Sequence, residues 1–129
     1  MKIGAVTGQT QLQRGEHLDA ILAMRDHRNS NCFWLSFDDE VFPRISISVR
    51  NDLAYAHYFP EKGHPGFHTV SNNPHAGSDA MHEFFLYGKD ETTIEVMGSA
   101  LISVPDAILI AKEFLTTRAL PRCVEWSEL

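Results

Sequence analysis

The sequence has no long hydrophobic run and no repeat, linker or low-complexity tract. A membrane-spanning helix needs about 20 consecutive apolar residues, and no stretch of the chain approaches that length. The first residues, MKIGAV, also lack the apolar core of a signal peptide. We therefore expect a cytoplasmic protein with no membrane partner. The uninterrupted composition predicts one domain over residues 1–129.

Cysteine is scarce. The chain contains only Cys32 and Cys123, and neither belongs to a C-x-x-C pair, so no disulfide framework is indicated. Both cysteines adjoin apolar residues, which predicts two reduced, buried thiols. Neither is flanked by features that lower the pKa of a thiol, so we predict no cysteine nucleophile.

Basic residues are also few, because 11 Lys and Arg face 17 Asp and Glu and leave a net charge of −6. An acidic surface repels nucleic acid and membranes and attracts basic partners. The charge balance therefore argues against direct nucleic-acid binding. It favours a partner protein with a basic surface.

Recognisable catalytic motifs are absent from the sequence. No serine lies in a nucleophile-elbow glycine pattern, and no pair of carboxylates stands out for acid–base catalysis. The nearest glycine-rich stretch, Gly63 to Gly66, contains a proline and cannot supply the N–H groups of a phosphate-binding loop. We predict no catalytic residue and no cofactor.

Histidine is the one residue type whose distribution suggests chemistry. Five of the seven histidines fall within one segment of the chain, as His57, His64, His68, His75 and His82. A zinc site could use His64 and His68 with His57 or His75, which would make the protein a small metal-dependent hydrolase. The dipeptide Pro65-Gly66 excludes a helical i, i+4 pair. Ordinary loop histidines are the preferred interpretation, and the metal site stays an alternative.

The apolar pattern predicts a helix over residues 15–27 and strands over residues 32–37, 44–50 and 53–59. Short turns at 38–40 and 51–52 join these strands, so they should form an antiparallel meander. Within 44–50, isoleucine and valine alternate with Ser46 and Ser48, which predicts a half-buried strand. Further strands are predicted at 67–71, 83–87, 92–96 and 100–103, with a loop at 60–66, a polar excursion at 72–79 and a turn at 88–91.

The carboxyl-terminal segment predicts a capped helix followed by a short strand. Ser103 and Asp106 form a capping pattern, and Pro105 suits the first helical turn. The predicted apolar face contains Ala107, Ile108, Ala111, Phe114 and Leu115. Pro121 ends the helix, and Val124 and Trp126 share one side of the last strand. The predicted fold is α+β, an antiparallel meander with an amino-terminal and a carboxyl-terminal helix packed on it and a short terminal strand.

Two segments together carry a family resemblance. They are the loop YFPEKGHPGF at 58–67 and the ending VP…AI…A…EFL…P…VEWSEL at 104–129. Their order and spacing resemble the Imm1 family of bacterial immunity proteins, and the likeness runs from about residue 32 onward. The matching positions are fold-forming ones, namely Pro60, Gly63, Phe67, Pro105, Phe114 and Trp126.

The resemblance implies a cytoplasmic antitoxin of a polymorphic toxin system or a contact-dependent system of interbacterial competition. Such a protein binds a cognate toxin domain, often a nucleic-acid-targeting deaminase or nuclease, and occludes it without enzymatic activity. A 1:1 complex with the toxin domain is expected. A regulatory module with an unrelated partner is a second alternative.

The family likeness assigns no toxin contacts, so these are predicted from charge. The densest acidic run is Asp38-Asp39-Glu40, and the turn Asp90-Glu91 could extend it. The loop that contains Glu61 and His64 is framed by proline and glycine and should present side chains to a partner. The predicted toxin-binding residues are Asp38, Asp39, Glu40, Glu61, His64, Asp90 and Glu91.

Overall fold

The computed structural model of the protein describes residues 2–5, 8–11, 18–37, 39–71, 80–86 and 92–129. Within them lie ten strands, two α-helices and a short 3-10 turn. The strands are β1 Lys2–Ala5, β2 Gly8–Gln11, β3 Ser30–Ser36, β4 Arg44–Arg50, β5 Leu53–Phe59, β6 Phe67–Thr69, β7 Met81–Phe85, β8 Thr93–Met97, β9 Ile102–Ser103 and β10 Trp126–Glu128. The helices are α1 Leu18–Leu22 and α2 Val104–Thr117, and the 3-10 turn is Gly98–Ala100.

The main sheet runs in the order β10-β6-β5-β4-β3-β1-β2, and β9 pairs with β5 beside β6. Strands β3, β4 and β5 are consecutive and antiparallel, as their short connections predict. The hairpin β7–β8 forms a separate two-stranded sheet. The α+β fold with an antiparallel meander, two helices and a short terminal strand is confirmed.

Both helices contribute to the core on one face of the main sheet. The fully buried side chains of this core include Leu35, Ile45, Ile110 and Phe114. Helix α2 buries Ala107, Ile110, Ala111 and Phe114, while the predicted face members Ile108 and Leu115 are only half-buried. The sequence prediction omits Ile110, whose side chain has no exposure at all. Each large side chain buried here contributes roughly 1.5–3 kcal/mol to folding.

Local signals define both ends of α2. The Ser103 hydroxyl accepts a hydrogen bond from the backbone N–H of Asp106 at 3.2 Å, which confirms the predicted cap. The helix ends at Thr117 because Arg118 adopts a left-handed conformation with φ 55°. Its N–H donates to the carbonyl of Phe114 at 2.8 Å. The helix therefore stops before Pro121 is reached.

Helix α1 is shorter than predicted, and the prediction of helix over residues 23–27 is wrong. The carboxylate of Asp26 accepts hydrogen bonds from the backbone N–H groups of Arg28 at 2.8 Å and Ser30 at 3.2 Å. The Arg25 guanidinium donates to the carbonyl of Leu22 at 2.6 Å. These side chains satisfy backbone groups that a continuing helix would pair, so the chain turns into β3. The predicted helical residues 15–17 lie outside the described residues.

Strand β4 is buried on both faces, so the prediction of a half-buried strand is wrong. Ser46 is 9% exposed and Ser48 is 2% exposed. The opposite face of the sheet carries a second core, in which Phe84, Val96, Ala100 and Leu101 pack against Leu53 and Tyr55. The hairpin β7–β8 and the 3-10 turn supply most of this layer. Because it comes from a distant part of the chain, the alternation within β4 could not reveal it.

The remaining strand predictions hold apart from their boundaries. Strand β6 ends at Thr69 rather than at residue 71, and β7 and β8 are each shifted by one or two residues. The predicted strand at 100–103 is only Ile102–Ser103, because Ala100 belongs to the 3-10 turn. The loop at 60–66 and the turn at 51–52 are present. The predicted excursion at 72–79 and turn at 88–91 lie outside the described residues.

Trp126 fixes the terminal strand against the main core. Its indole Nε1–H donates to the carbonyl of Pro121 at 2.7 Å, and its ring lies 6.4 Å from the ring of Tyr58. Trp126 pairs with Thr69 across β10 and β6. Val124 precedes the strand and also packs on this core. Trp126 thus combines apolar packing with a satisfied polar atom.

We expect Trp126→Ala to destabilise the protein by about 3 kcal/mol, because a half-buried indole leaves a gap on the core. Trp126→Phe keeps a ring but loses the hydrogen bond to Pro121, so about 1 kcal/mol is expected. Urea denaturation followed by far-UV circular dichroism measures both values. Equal stability of Trp126→Ala and the wild type would show that the indole adds nothing to the core.

Candidate functional site

Two connections meet at one end of the main sheet. The β3–β4 connection and the β5–β6 loop both lie there, because each antiparallel strand returns the chain to the opposite end. Arg44 at the start of β4 pairs with Phe59 at the end of β5, so the two connections are neighbours. The described residues at this end include the predicted contacts Asp39, Glu40, Glu61 and His64. Asp38 lies outside the described residues.

An open cleft of about 260 Å³ is formed beside the β3–β4 connection. Its lining includes Trp34, Phe37, Asp39, Glu40, Val41 and Arg44. Val41 is 65% exposed. The cleft therefore presents apolar surface together with charges of both signs.

The two described carboxylates of the predicted acidic run differ in their surroundings. Asp39 accepts hydrogen bonds from the Arg118 guanidinium at 3.1 Å, and that guanidinium lies 4.1 Å from the centre of the Phe37 ring. Glu40 is exposed and forms no ion pair within the described part of the chain. The sequence prediction treats the two residues alike, whereas the structure gives Asp39 a partner on helix α2.

The β5–β6 loop has a fixed conformation. Gly66 has φ +97°, and a Cβ atom there would lie 2.5 Å from Nε2 of His57 and from the carbonyl oxygen of Tyr58. Glycine is therefore required for both its backbone angle and its lack of a side chain. The Gly66 carbonyl accepts the N–H of Leu129 at 2.9 Å. Exposed Glu61 is thus presented on a loop that is tied to the terminal strand.

His64 has a structural environment within that loop. Its Nδ1 accepts the backbone N–H of Gly66 at 2.8 Å, so its Nε2 carries the proton and donates to Glu128 at 3.1 Å. The ring also stacks on Phe67, with centroids 5.4 Å apart. Both ring nitrogens are occupied, so a partner would meet the ring edge rather than a free donor.

The histidines do not assemble the hypothesised metal site. His57 and His68 are paired across β5 and β6 on one face, while His64 stacks on Phe67, whose side chain belongs to the opposite face. His57 Nε2 donates to the carbonyl of Pro65 at 2.8 Å, and His68 Nδ1 donates to that of Thr69 at 2.9 Å. No group of three potential metal ligands exists among the described residues, which exclude His75. The geometry contradicts a site built from His64, His68 and His57.

The predicted contacts Asp90 and Glu91 lie outside the described residues. The described part of their hairpin includes Phe85, whose ring lies 3.9 Å from the Arg28 guanidinium and 4.9 Å from that of Arg50. Arg50 is the last residue of β4 and therefore lies at the opposite end of the sheet from Glu40. The described part of the hairpin does not adjoin the cleft.

Sequence reasoning misses an aromatic surface next to the cleft. Here it is called the aromatic patch, and it consists of Trp34, Phe42, His57 and Phe59 around Arg44. His57 stacks on Phe59 with centroids 4.1 Å apart and planes 8° from parallel. Trp34 stacks on Phe59 at 6.0 Å. Apart from Phe42 in the β3–β4 connection, the members of the patch occupy same-face positions on three adjacent strands, and their proximity becomes visible only when the strand register is known.

Arg44 occupies the centre of the aromatic patch. Its guanidinium carbon lies 5.1 Å from the ring centre of Trp34, 5.0 Å from Phe42 and 5.3 Å from Phe59. These are cation–π distances. The Nε atom is buried and has no hydrogen-bond partner among the described residues. The patch thus holds a cation that no described carboxylate neutralises.

The two thiols are free. Cys32 is 1% exposed, and burial raises the pKa of its thiol despite the hydrogen bond that Ser48 donates at 3.6 Å. Partial burial and the Glu113 carboxylate raise the pKa of Cys123. Cys123 is exposed, so the prediction of two buried thiols is wrong for it, because it lies in the irregular segment before β10. Neither thiol has an environment that favours the thiolate.

The family model described as "Immunity protein Imm1" matches residues 9–128. The chain belongs to the Imm1 family. This Imm1 chain is also 27% identical over 122 residues to the "Double-stranded DNA deaminase immunity protein" of Burkholderia cenocepacia (strain H111). The match covers 95% of this chain and 94% of that relative. The family predicted from the loop at 58–67 and the carboxyl-terminal segment is confirmed.

The helices of this Imm1 chain are short. Among the described residues, none is long and apolar enough to cross a membrane. The longest is α2, with 14 residues.

We expect His57 to make stability depend on pH. Burial lowers the pKa of its imidazole, and the charge of His68 acts in the same direction, while the hydrogen bond to Pro65 opposes them. The unfolded chain therefore binds a proton more readily, near pH 6.5. The contribution of neutral His57 is fully present above that pH and is lost as the pH falls towards the lower pKa of the folded state.

His57→Gln should remove this dependence. Between pH 7.5 and pH 5 the wild type should therefore lose more free energy of unfolding than His57→Gln does. Urea denaturation at both pH values measures it, with the exposed His27→Gln as the matched control. A difference that does not vary with pH would contradict the assignment.

Proposed function

We propose that this Imm1 protein is an antitoxin that binds a DNA deaminase toxin domain and occludes its substrate cleft. The observation that carries the proposal is the family match over residues 9–128. The deaminase class rests on the name of the Burkholderia cenocepacia relative, which is 27% identical to this chain. The protein acts stoichiometrically, with no catalytic residue and no cofactor of its own.

Occlusion follows from what a deaminase must do. Deaminases that act on nucleic acid place the target base in a pocket, outside the base stack. The cleft that leads to this pocket must attract phosphates and is therefore basic. A protein with a net charge of −6 is steered towards such a cleft and competes with the substrate there. A stable inhibitory interface buries about 1,200–2,000 Å² in total.

The proposed contact surface is the end of the sheet that carries the cleft. Glu40 and Glu61 are exposed there on adjacent connections, and Asp39 lines the same cleft. Asp38, Asp90 and Glu91 belong to the proposal on sequence grounds alone. The complex is 1:1, forms in the cytoplasm and involves a single domain of this chain without direct contact to nucleic acid.

The test uses the toxin domain encoded beside the gene. The purified protein is titrated against that domain in a double-stranded DNA deamination assay. We expect activity to disappear at a 1:1 ratio and a stable complex to elute in size-exclusion chromatography. Full deamination activity in a several-fold excess of the protein would refute the proposal and favour a regulatory module with another partner.

Charge reversal at Glu40 should slow association with the toxin domain. Glu40→Lys reverses an exposed charge that has no described ion-pair partner, so we expect an association rate about ten-fold lower at low salt. The difference should shrink at high salt, because exposed charges are screened. Surface plasmon resonance at two ionic strengths measures both effects.

Asp52→Lys is the matched control for this change, since Asp52 is exposed in the β4–β5 turn at the other end of the sheet. It changes the net charge by the same amount. An equal effect of both variants would show that net charge alone, and not the cleft, steers association. Asp39 is less suitable, because its substitution also breaks the ion pair with Arg118.

A further inference from the structure

We propose that the aromatic patch anchors the toxin complex and that Arg44 binds one carboxylate of the toxin domain. This inference rests on the proposed function and adds to it a specific surface and a specific partner group. The surface lies beside the carboxylates that steer association. The aromatic patch differs from these carboxylates in charge and in chemistry, because it is an apolar surface around one cation.

The aromatic patch is a preformed surface rather than a loose collection of side chains. Trp34, Phe59 and His57 come from two strands that flank β4, and their rings stack at 6.0 Å and 4.1 Å. The small residue Ser46 lies between Trp34 and His57 in the strand register and is 9% exposed. The rings therefore have little freedom to lose on binding, which favours affinity.

The guanidinium of Arg44 has unsatisfied hydrogen-bond donors that an anion could accept. A guanidinium has five N–H donors in a planar fork that matches a carboxylate. The Arg44 guanidinium forms no hydrogen bond or ion pair within the described part of the chain, and its buried Nε is unsatisfied. Its three ring contacts orient the guanidinium and cannot replace an anionic acceptor. Arg44 also lines the cleft, so a ligand can approach it there.

The surroundings of Arg44 favour a carboxylate on a protein over a nucleic-acid phosphate. Asp39 and Glu40 line the same cleft, and the chain carries a net charge of −6. A phosphate backbone brings many negative charges past these groups and is repelled. A basic protein surface that contains one carboxylate complements both the acidic residues of the cleft and the positive charge of Arg44. The exposed Val41 offers that partner an apolar contact at the rim.

We therefore expect Arg44 to determine how the toxin domain is oriented and how long the complex lasts, rather than how fast the two proteins meet. The net negative charge of the protein attracts a basic toxin domain. The positive charge of Arg44 repels a partner surface that is basic throughout. Only a partner with its carboxylate at the right place can dock without leaving the guanidinium uncompensated. Trp and Arg side chains in a desolvated centre are the usual sources of interface affinity.

The experiment compares Arg44 variants in binding to a catalytically inactive form of the neighbouring toxin domain. Arg44→Met keeps the apolar stem on the rings and removes the charge, whereas Arg44→Lys keeps the charge and loses the planar fork. Arg122→Met is the matched control, since Arg122 is exposed in the segment before β10. We expect a Kd about 30-fold or more higher for Arg44→Met, mainly through faster dissociation, and an intermediate value for Arg44→Lys. Arg122→Met should bind like the wild type.

The partner group is identified by neutralising the acidic residues of the toxin domain one at a time. We expect one Asn or Gln variant to weaken the wild-type complex and to have no further effect on the Arg44→Met complex. If no acidic residue shows this coupling, the carboxylate assignment is refuted. Because Arg44→Met could destabilise the protein, its melting temperature is measured first.

A second observable uses the wild-type protein. The Nε–H resonance of Arg44 should move downfield and exchange more slowly with water once the toxin domain is bound. An unchanged resonance in a saturated complex would refute the proposal even if no Arg44 variant folds.

Other occupants and a failure of the proposed function give different results. Binding of a single-stranded oligonucleotide at 150 mM salt that Arg44→Met abolishes would refute the proposal in favour of nucleic acid. A concentration-dependent dimer that Arg44→Met abolishes would refute it in favour of a second copy of this chain. Tight wild-type binding with an unaffected Arg44→Met variant refutes only this inference. Absence of wild-type binding refutes the proposed function itself.

Discussion

The register of β4 between β3 and β5 is the constraint on which the rest of the structure depends. It places Ile45, Ile47 and Val49 under the helices and turns Arg44, Ser46 and Ser48 to the other face. A slip of one residue would exchange the two sets and bury a guanidinium in the main core. The buried isoleucines therefore determine, indirectly, where the cation of the opposite face is presented.

The face of the main sheet that carries Arg44, Ser46 and Ser48 has two parts. One part is closed by the hairpin β7–β8 and the 3-10 turn, which bury Phe84 and Leu101. The other part carries the aromatic patch and stays accessible at the cleft. The side chains of the second core and the rings of the aromatic patch therefore occupy different areas of this face.

Sequence reasoning succeeds here where the signal is local. Ser103 and Pro105 predict the start of α2 to within one turn. The meander is predicted by the short connections between its strands. It fails where distant segments meet. The burial of Ser48 depends on a layer supplied some 40 residues later, and the end of α1 depends on the hydrogen bonds of Arg25 and Asp26. The histidine spacing suggested a metal site because a linear sequence does not show that His64 and His68 belong to different faces.

The candidate site shows the same division. Glu40 and Glu61 could be chosen from the sequence, because exposed acidic turns are visible as composition. Trp34, Phe59 and Arg44 could not, since their proximity arises only from strand pairing.

The ion pair between Asp39 and Arg118 has a consequence for how this protein can diverge. Arg118 is the residue that caps the end of α2, while Asp39 lies in a connection at the proposed contact surface. A lineage that altered Asp39 to meet a new partner would leave the guanidinium above Phe37 without its carboxylate. Substitutions at these two positions should accordingly be inherited together. The rate at which the β3–β4 connection can change is then limited by a residue at the end of helix α2.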